Sequence, residues 1–199
     1  SKTLGDVVIT STIAVARKTP VAVSNVMMDY IEEKMGTQEF PEILKATPGV
    51  HANKEGGGYG DSEIYMRGFD NTNTATVING VPVNDMENGN VYQSNWQGLR
   101  DVTSVMQTQR GVGASKVSAP SIGGTINIVT KGVDAKKGGT VSYGMSSYGQ
   151  QNISFSLSTG MSEKGWAVSL LGSKAWGEKA FIGSDYTSYT YFLSVAKRF

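Results

Sequence analysis

The feature that most constrains this chain is a two-residue rhythm running through its last third, a period that only extended backbone can use. Val141, Tyr143 and Met145 alternate with Ser142, Gly144 and Ser146, and Ile153, Phe155, Leu157, Thr159 and Met161 with Ser154, Ser156, Ser158 and Gly160. Trp166, Val168 and Leu170 alternate with Ala167 and Ser169, although Leu171 blurs the pattern. Tyr189, Tyr191, Leu193 and Val195 alternate with Thr190, Phe192, Ser194 and Ala196. Successive side chains of a strand point to opposite faces, so each segment has one apolar face and one small polar face. The rhythm predicts four antiparallel strands of about 9–11 residues, a length suited to tilted crossing of a bilayer. A soluble sandwich alternates too, but its wet face usually carries Lys, Glu and Thr. Here the polar partners are mostly Ser and Gly, and Tyr143, Trp166, Trp176, Tyr189 and Tyr191 gather near strand ends. On pattern alone, membrane strands and a soluble β domain both stand.

The residues before about position 135 read differently. Asp6, Val7, Val8, Ile9 and Thr10 form a β-branched run, and the polar stretch after it ends at Pro20, which predicts an extended arm. Val26, Met27, Tyr30, Ile31 and Met35 lie at helical spacing, with Gly36 as a stop. A second short helix is expected from Gln38 to Ala46, with Thr37 as N-cap, Phe40, Ile43 and Leu44 on one face, and Pro48 ending it. A glycine-rich loop at 56–60 precedes a strand from Ser62 to Arg67. Asn79-Gly80 between Thr74–Ile78 and Val81–Val83 predicts a type I′ hairpin, and Ile126–Thr130 another strand.

Charge and composition remove several function classes. The 18 Lys+Arg against 17 Asp+Glu leave a net charge of +1, without the basic excess of a nucleic-acid binder. Zero Cys excludes disulfides, thiolate metal sites and cysteine nucleophiles, and the single histidine, His51, makes a His-rich metal centre untenable. No apolar run is long enough for a transmembrane helix, which leaves a β-barrel open. The start Ser1-Lys2-Thr3 reads as that of a mature or trimmed chain rather than a secretory signal. Gly111–Lys116 lacks the Gly-Lys-Ser/Thr ending of a phosphate loop, and Asn84–Asn90 lacks the ligand alternation of a calcium loop. His51 with Asp61 makes a poor start for a triad, so neither enzyme chemistry nor a cofactor is expected. Tyr59, Tyr65, Tyr92 and Trp96 either line a ligand surface or pack the first half, and both readings stand.

Five blocks carry a family resemblance. They are Thr47-Pro48-Gly49-Val50; Glu63-Ile64-Tyr65-Met66-Arg67-Gly68-Phe69; Thr76-Val77-Ile78-Asn79-Gly80-Val81-Pro82-Val83; Val105-Met106-Gln107-Thr108-Gln109-Arg110-Gly111; and Ile122-Gly123-Gly124-Thr125-Ile126-Asn127-Ile128-Val129-Thr130-Lys131. In that order and spacing they resemble the plug domain of TonB-dependent outer-membrane receptors. Gln107, Val112, Val117-Ser118 and Asn79 depart from residues frequent in that family and look like its Bacteroidetes branch.

The resemblance implies an α+β plug, a small mixed sheet with short helices, followed by antiparallel transmembrane β-barrel strands that remain incomplete in this chain. It divides the chain into an arm and linker at 1–20, a plug at 21–135 and the first four barrel strands at 136–199. Full members resemble a plug inside a 22-stranded barrel, a size that carries a plugged lumen. The implied function is TonB-dependent import of a nutrient (iron chelate, corrinoid, peptide or glycan) across the outer membrane of a Gram-negative bacterium, with plug and arm facing the periplasm. Asp6–Thr10 resembles the TonB box offered to the TonB-ExbB-ExbD complex. Arg67 and Arg110 match plug–barrel contact positions, and Tyr59, Tyr92 and Trp96 are the candidate ligand residues. Outer-membrane lipids and a surface lipoprotein are the other partners considered. The competing reading is a secreted or surface β-rich binding module, adhesin- or lectin-like, without transport.

Overall fold

The computed structural model describes residues 22–27, 30, 31, 33, 40–54, 62–96, 98–111, 121–132, 136–146, 149–178, 183 and 185–198. The first half is built on a mixed sheet of five strands: β1 (Ala22–Met27), β4 (Thr74–Ile78), β5 (Val81–Pro82), β6 (Thr103–Arg110) and β7 (Gly124–Thr130). Their order is β1-β6-β7-β4-β5, with β4 parallel to β7 and every other pair antiparallel. Strands β2 (Val50–Lys54) and β3 (Ser62–Met66) form a separate antiparallel pair.

The hairpin follows from its two turn residues. Asn79 has φ 49° and Gly80 φ 87°, the pair of positive angles a type I′ turn requires. Strand β5 is short: the Val83 N–H still donates to the Thr76 carbonyl at 3.0 Å, but the Thr76 N–H turns to Asn84 Oδ1 at 2.8 Å. Where a second helix is expected, the chain forms a helix at Phe40–Ile43 and a 3-10 turn at Leu44–Ala46. Thr47 turns extended (ψ 124°), as a residue before proline should.

One expectation is overturned at the start. Val26 and Met27 end a strand rather than begin a helix, and helical backbone is described only at Tyr30, Ile31 and Glu33. The reason is long-range: β1 pairs with β6, Ala22 opposite Arg110 and Met27 opposite Val105, and that ladder outweighs local spacing.

Met106, Ile126 and Ile128 of the sheet pack with Val26, Ile31, Ile43, Leu44, Val50, Ile64, Met66, Leu99 and Val102 into one core. Polar groups are buried beside it, and two of them find partners across the β1–β6 ladder, where an unpaired group would cost a few kcal/mol. Gln107, fully buried, donates from Nε2 to Asn25 Oδ1 at 2.8 Å, and Thr108 Oγ1 donates to the Ser24 carbonyl at 3.3 Å.

The second half is a four-stranded antiparallel sheet of β8 (Gly138–Met145), β9 (Gln151–Ser158), β10 (Trp166–Glu178) and β11 (Asp185–Lys197), in the order β11-β10-β9-β8. It does not close on itself in this chain. The last two strands run to 13 residues, longer than the rhythm predicts, so the loop expected over Gly177–Tyr186 shortens to 179–184. Leu171 blurs the alternation because it points inward: it is 4% exposed and joins the core of the first half, with Phe192 at its margin. Ala167, Ser169 and Ala175 share that inward row. The outward row is apolar and open, with Tyr191 82%, Val141 70% and Leu193 66% exposed, beside Phe155, Leu157 and Leu170. Among the described residues no helix is long and apolar enough to cross a membrane, which bears on helices alone.

Candidate functional site

Three of the sequence blocks converge on one spot. Arg67, at φ 52°, heads a tight turn in which Met66 and Phe69 exchange backbone hydrogen bonds of 2.8 and 2.9 Å. Its N–H donates to the Gly49 carbonyl at 2.7 Å, which ties the Arg67-Gly68 block to Pro48-Gly49. Arg110 reaches the same place from the end of β6, with Nη1 donating to the Pro48 carbonyl at 2.7 Å and Nη2 to Ser24 Oγ at 3.2 Å. Its Nε is buried without a hydrogen-bond partner.

Glycine allows this approach. A Cβ on Gly49 (φ 79°) would lie 3.5 Å from Arg110 Cδ and 3.6 Å from Arg67 Cγ, and one on Gly111 (φ 87°) 3.3 Å from Arg67 Nη1. Two guanidinium groups are thereby held against glycine backbone, and among the described residues neither has a carboxylate at ion-pair distance. Such a pair presents concentrated positive charge suited to carboxylates on a facing wall.

The hairpin block and the Gly-Gly block are joined as well. Asn79 Nδ2 donates to Thr130 Oγ1 at 2.7 Å, while Asn79 Oδ1 accepts from the Thr130 N–H at 2.9 Å. The loop after β5 is organised by Asn84, which in the sequence stands out only as part of a polar, solvated turn. Its Oδ1 accepts from the Thr76 N–H at 2.8 Å, and its Nδ2 donates to the Thr74 and Gly89 carbonyls, each at 2.9 Å. Asp85 Oδ1 accepts from the N–H groups of Glu87 and Asn88, at 2.8 and 3.2 Å. These oxygens serve the chain's own turns. Asp70 does the same for Asn71–Asn73, and hydrogen bonds from the Thr72 and Asn73 side chains hold its carboxyl below the ordinary carboxylate value.

Tyr92 is 49% exposed at the mouth of that loop, its hydroxyl accepting from Asn88 Nδ2 at 2.8 Å. Trp96, at the end of the 3-10 turn Gln93–Trp96, is partly buried against the core. Tyr65 donates its hydroxyl to Glu63 Oε2 at 2.6 Å, and His51 is exposed opposite it on β2. Tyr59, Asp61 and the arm with Asp6–Thr10 lie outside the described residues. Among the described residues no three His, Cys, Asp or Glu side chains group to hold a metal.

The two halves meet at Gly98, where an added Cβ would overlap the Thr190 side chain. They also enclose a cavity of about 250 Å³ lined by Asp101, Lys131, Lys136, Lys137, Leu157 and Phe192, among others.

Comparison with known proteins gives this geometry its setting. The family model described as TonB-dependent Receptor Plug Domain matches residues 15–125. The vitamin B12 transporter BtuB of Vibrio vulnificus is 24% identical over 145 residues, 73% of this chain and 23% of that protein. The ferric enterobactin receptor PirA of Pseudomonas aeruginosa is 28% identical over 142 residues, 64% of this chain and 19% of that protein. Among solved structures, P. aeruginosa FpvA bound to heterologous pyoverdines superposes with a TM-score of 0.71 at 16% identity, over 92% of this chain and 24% of that one. The ferric-catecholate import receptor Fiu of E. coli K12 gives 0.68 at 21%, over 90% and 25%. The chain thus spans about a quarter of the length of the proteins it matches.

The Bacteroidetes assignment is corrected by these matches, since the named relatives are proteobacterial, from Vibrio, Pseudomonas, Acinetobacter and E. coli. Two of the departures behind that assignment have local causes instead. Gln107 is a neutral amide because its site is fully buried and amide-lined, and Asn79 both donates to and accepts from Thr130, which an ionised Asp would not do.

Proposed function

The chain belongs to the TonB-dependent receptor plug family, and from that premise we propose that it is the plug and opening strands of an outer-membrane importer of a small nutrient chelate. The observation that carries this reading is the second sheet: one face packs on the plug through Leu171 and Phe192, and the other exposes a mostly apolar row, broken on β10 by Gly172 and Lys174. From Trp166 to Trp176 that row covers about 33 Å of strand at ~3.3 Å per residue. Tilted by about 45°, it spans roughly 23 Å, close to the ~25 Å apolar band of outer-membrane barrels.

In this reading residues 1–20 are the arm, 21–135 the plug and 136–199 the first four strands of a barrel completed by further sequence. An outer membrane has no ATP, so work to open the plug comes through a periplasm-spanning TonB-ExbB-ExbD complex. Asp6–Thr10 adds as a strand to the partner's sheet edge, where main-chain hydrogen bonds load in parallel. The arm leads into β1, which among the described residues is an edge strand of the plug sheet bonded to β6, so tension reaches one ladder first.

Arg67 and Arg110 face carboxylates of the barrel wall beyond this chain, and their release accompanies opening. Tyr59, Tyr92 and Trp96 meet the ligand from the plug side. The names of the relatives support a siderophore- or corrinoid-type chelate as that ligand, which planar aromatic rings suit.

The test is Val8→Pro in the complete receptor, which removes a ladder N–H. Ligand binding at the cell surface should persist while energised uptake is lost. Normal uptake would refute the coupling assignment.

A further inference from the structure

Charge is distributed unevenly over the four-stranded sheet. At the end that bears the short turn 162–165, Lys136 and Lys137 precede β8, Lys164 lies in the turn, and Lys197 and Arg198 close β11; all five are exposed. They are neighbours in space as well as in register. A Cβ on Gly160 would lie 3.0 Å from Lys137 Cβ, and the Arg198 N–H donates to the Gly165 carbonyl at 2.7 Å, which seats the end of β11 on the turn. The described carboxylates near them are Glu163 in the same turn and Asp101 across the cavity from Lys136 and Lys137. At the opposite end the strand termini are acidic, Glu178 paired with Asp185, followed in sequence by Lys179.

The cations border the apolar row directly. Lys197 Nζ lies 5.0 Å from the centroid of the Trp166 ring, and the same row continues through Val168, Leu170, Leu193 and Val195. A lysine stacked on a tryptophan where apolar surface ends suits the boundary between acyl chains and headgroups.

We propose that this rim binds the phosphate groups of anionic phospholipids in the leaflet facing the short turn, fixing the depth of these strands in the bilayer. The inference rests on the membrane reading of the sheet given above. Charge complementarity selects the occupant: among the described residues the rim carries more cations than carboxylates and attracts a negative headgroup layer, and the stacked Lys197 keeps its ammonium group at the level of the phosphates. A neutral leaflet would offer the rim no such counter-charge.

The test uses the complete receptor carrying these strands, reconstituted in vesicles of phosphatidylcholine with a minority of phosphatidylglycerol. After an alkaline wash and re-equilibration at neutral pH, the protein is extracted with its adherent lipids and these are counted by mass spectrometry. Phosphatidylglycerol should be enriched over its bulk share. Joint replacement of Lys136, Lys137, Lys164, Lys197 and Arg198 by Gln should lower that enrichment about fivefold or more, since each surface cation adds to the attraction for an anionic leaflet. Lys174→Gln, at the other end of the sheet, should leave it unchanged. High salt should bring the unmodified receptor down to the level of the variant lacking all five cations, a readout that needs no substitution. Equal enrichment in receptor and variant, with both retained after the wash, overturns the proposal alone. Loss of the unmodified receptor in the wash overturns the membrane reading with it.

Discussion

Gly124 sits where three strands meet, opposite Arg110 of β6 and Thr74 of β4, and two separate constraints fall on it. Its φ is +129°, in a region that L residues essentially never occupy, and an added Cβ would intrude on the Gln109 carbonyl oxygen, lying 2.5 Å from Met66 Sδ and 3.3 Å from Arg110 Cα. The Gln109 oxygen is backbone in a central strand, so relief requires β6 and β7 to part. Backbone strain contributes about 1–3 kcal/mol and overpacking another ~1–3 kcal/mol, so Gly124→Ala should cost roughly 2–6 kcal/mol. Gly68 supplies the internal reference. It has φ +83° and nothing within 4 Å of where an added methyl would sit, so Gly68→Ala carries only the left-handed penalty of about 1–2 kcal/mol. Native-state hydrogen exchange of the β6 and β7 amides reads both. Protection at Gln109 and Thr125 should fall about 30-fold or more in Gly124→Ala, one factor of ten per ~1.4 kcal/mol, and clearly less in Gly68→Ala. Protection lost to the same small extent in both variants would refute the claim that close approach, rather than φ alone, demands glycine at position 124.

Gly80→Val places a β-branched residue at φ 87° and should destabilise the plug by roughly 1–3 kcal/mol, read as a lower denaturation midpoint; an unchanged midpoint would show that the turn is not type I′. Gly98→Ala should weaken the contact between the plug and the strands, measured as a lower denaturation midpoint, and Thr190→Ala in the same chain should restore it, because the obstructing side chain is then gone. Asp70 has a lowered folded pKa, so its hydrogen bonds to Thr72 and Asn73 stabilise the turn above the unfolded value of 3.8 and are lost as pH falls through the folded one. Exchange of the Thr72 and Asn73 amides, referenced to a neighbouring turn, should therefore rise only below pH 3.8, and Asp70→Asn should abolish that dependence.

What the sequence made legible was local. The Asn79-Gly80 hairpin needed only two residues with positive φ, and β3, β7 and the four alternating strands announced themselves by residue type and period. Strand β6 did not, because Thr103, Ser104, Gln107 and Thr108 are buried without being apolar, and the hydrogen-bond partners of Gln107 and Thr108 on β1 lie some 80 residues away. For the same reason Val26 and Met27, the end of β1, read as the start of a helix. In β10, Gly172 and Lys174 hid the second half of the strand. Lys174 is tolerated on the outward row because its ammonium lies 5.2 Å from the Trp176 ring and 5.4 Å from that of Tyr189. Of the candidate site, the arginines were legible as motif residues. Their convergence on Pro48 and Gly49 was not, since it depends on three segments distant in sequence.

The pairing of β1 with β6 also sets a timetable for folding. Met27 faces Val105 and Ala22 faces Arg110, so the first strand of the sheet must wait for residues far along the chain before any of its ladder forms. Each pair in the second sheet is joined by a short connection: Met145 to Gln151, Ser158 to Trp166 and Glu178 to Asp185. Closing such short loops costs less entropy and happens sooner than closing the long excursion from β1 to β6. When the chain is delivered N-terminus first, β1 therefore travels as an unpaired strand with Val26 uncovered, open to pairing with the wrong edge. The plug's own beginning thus stays open until residues 105–110 have emerged, and a holding chaperone would find residues 22–27 to protect until then.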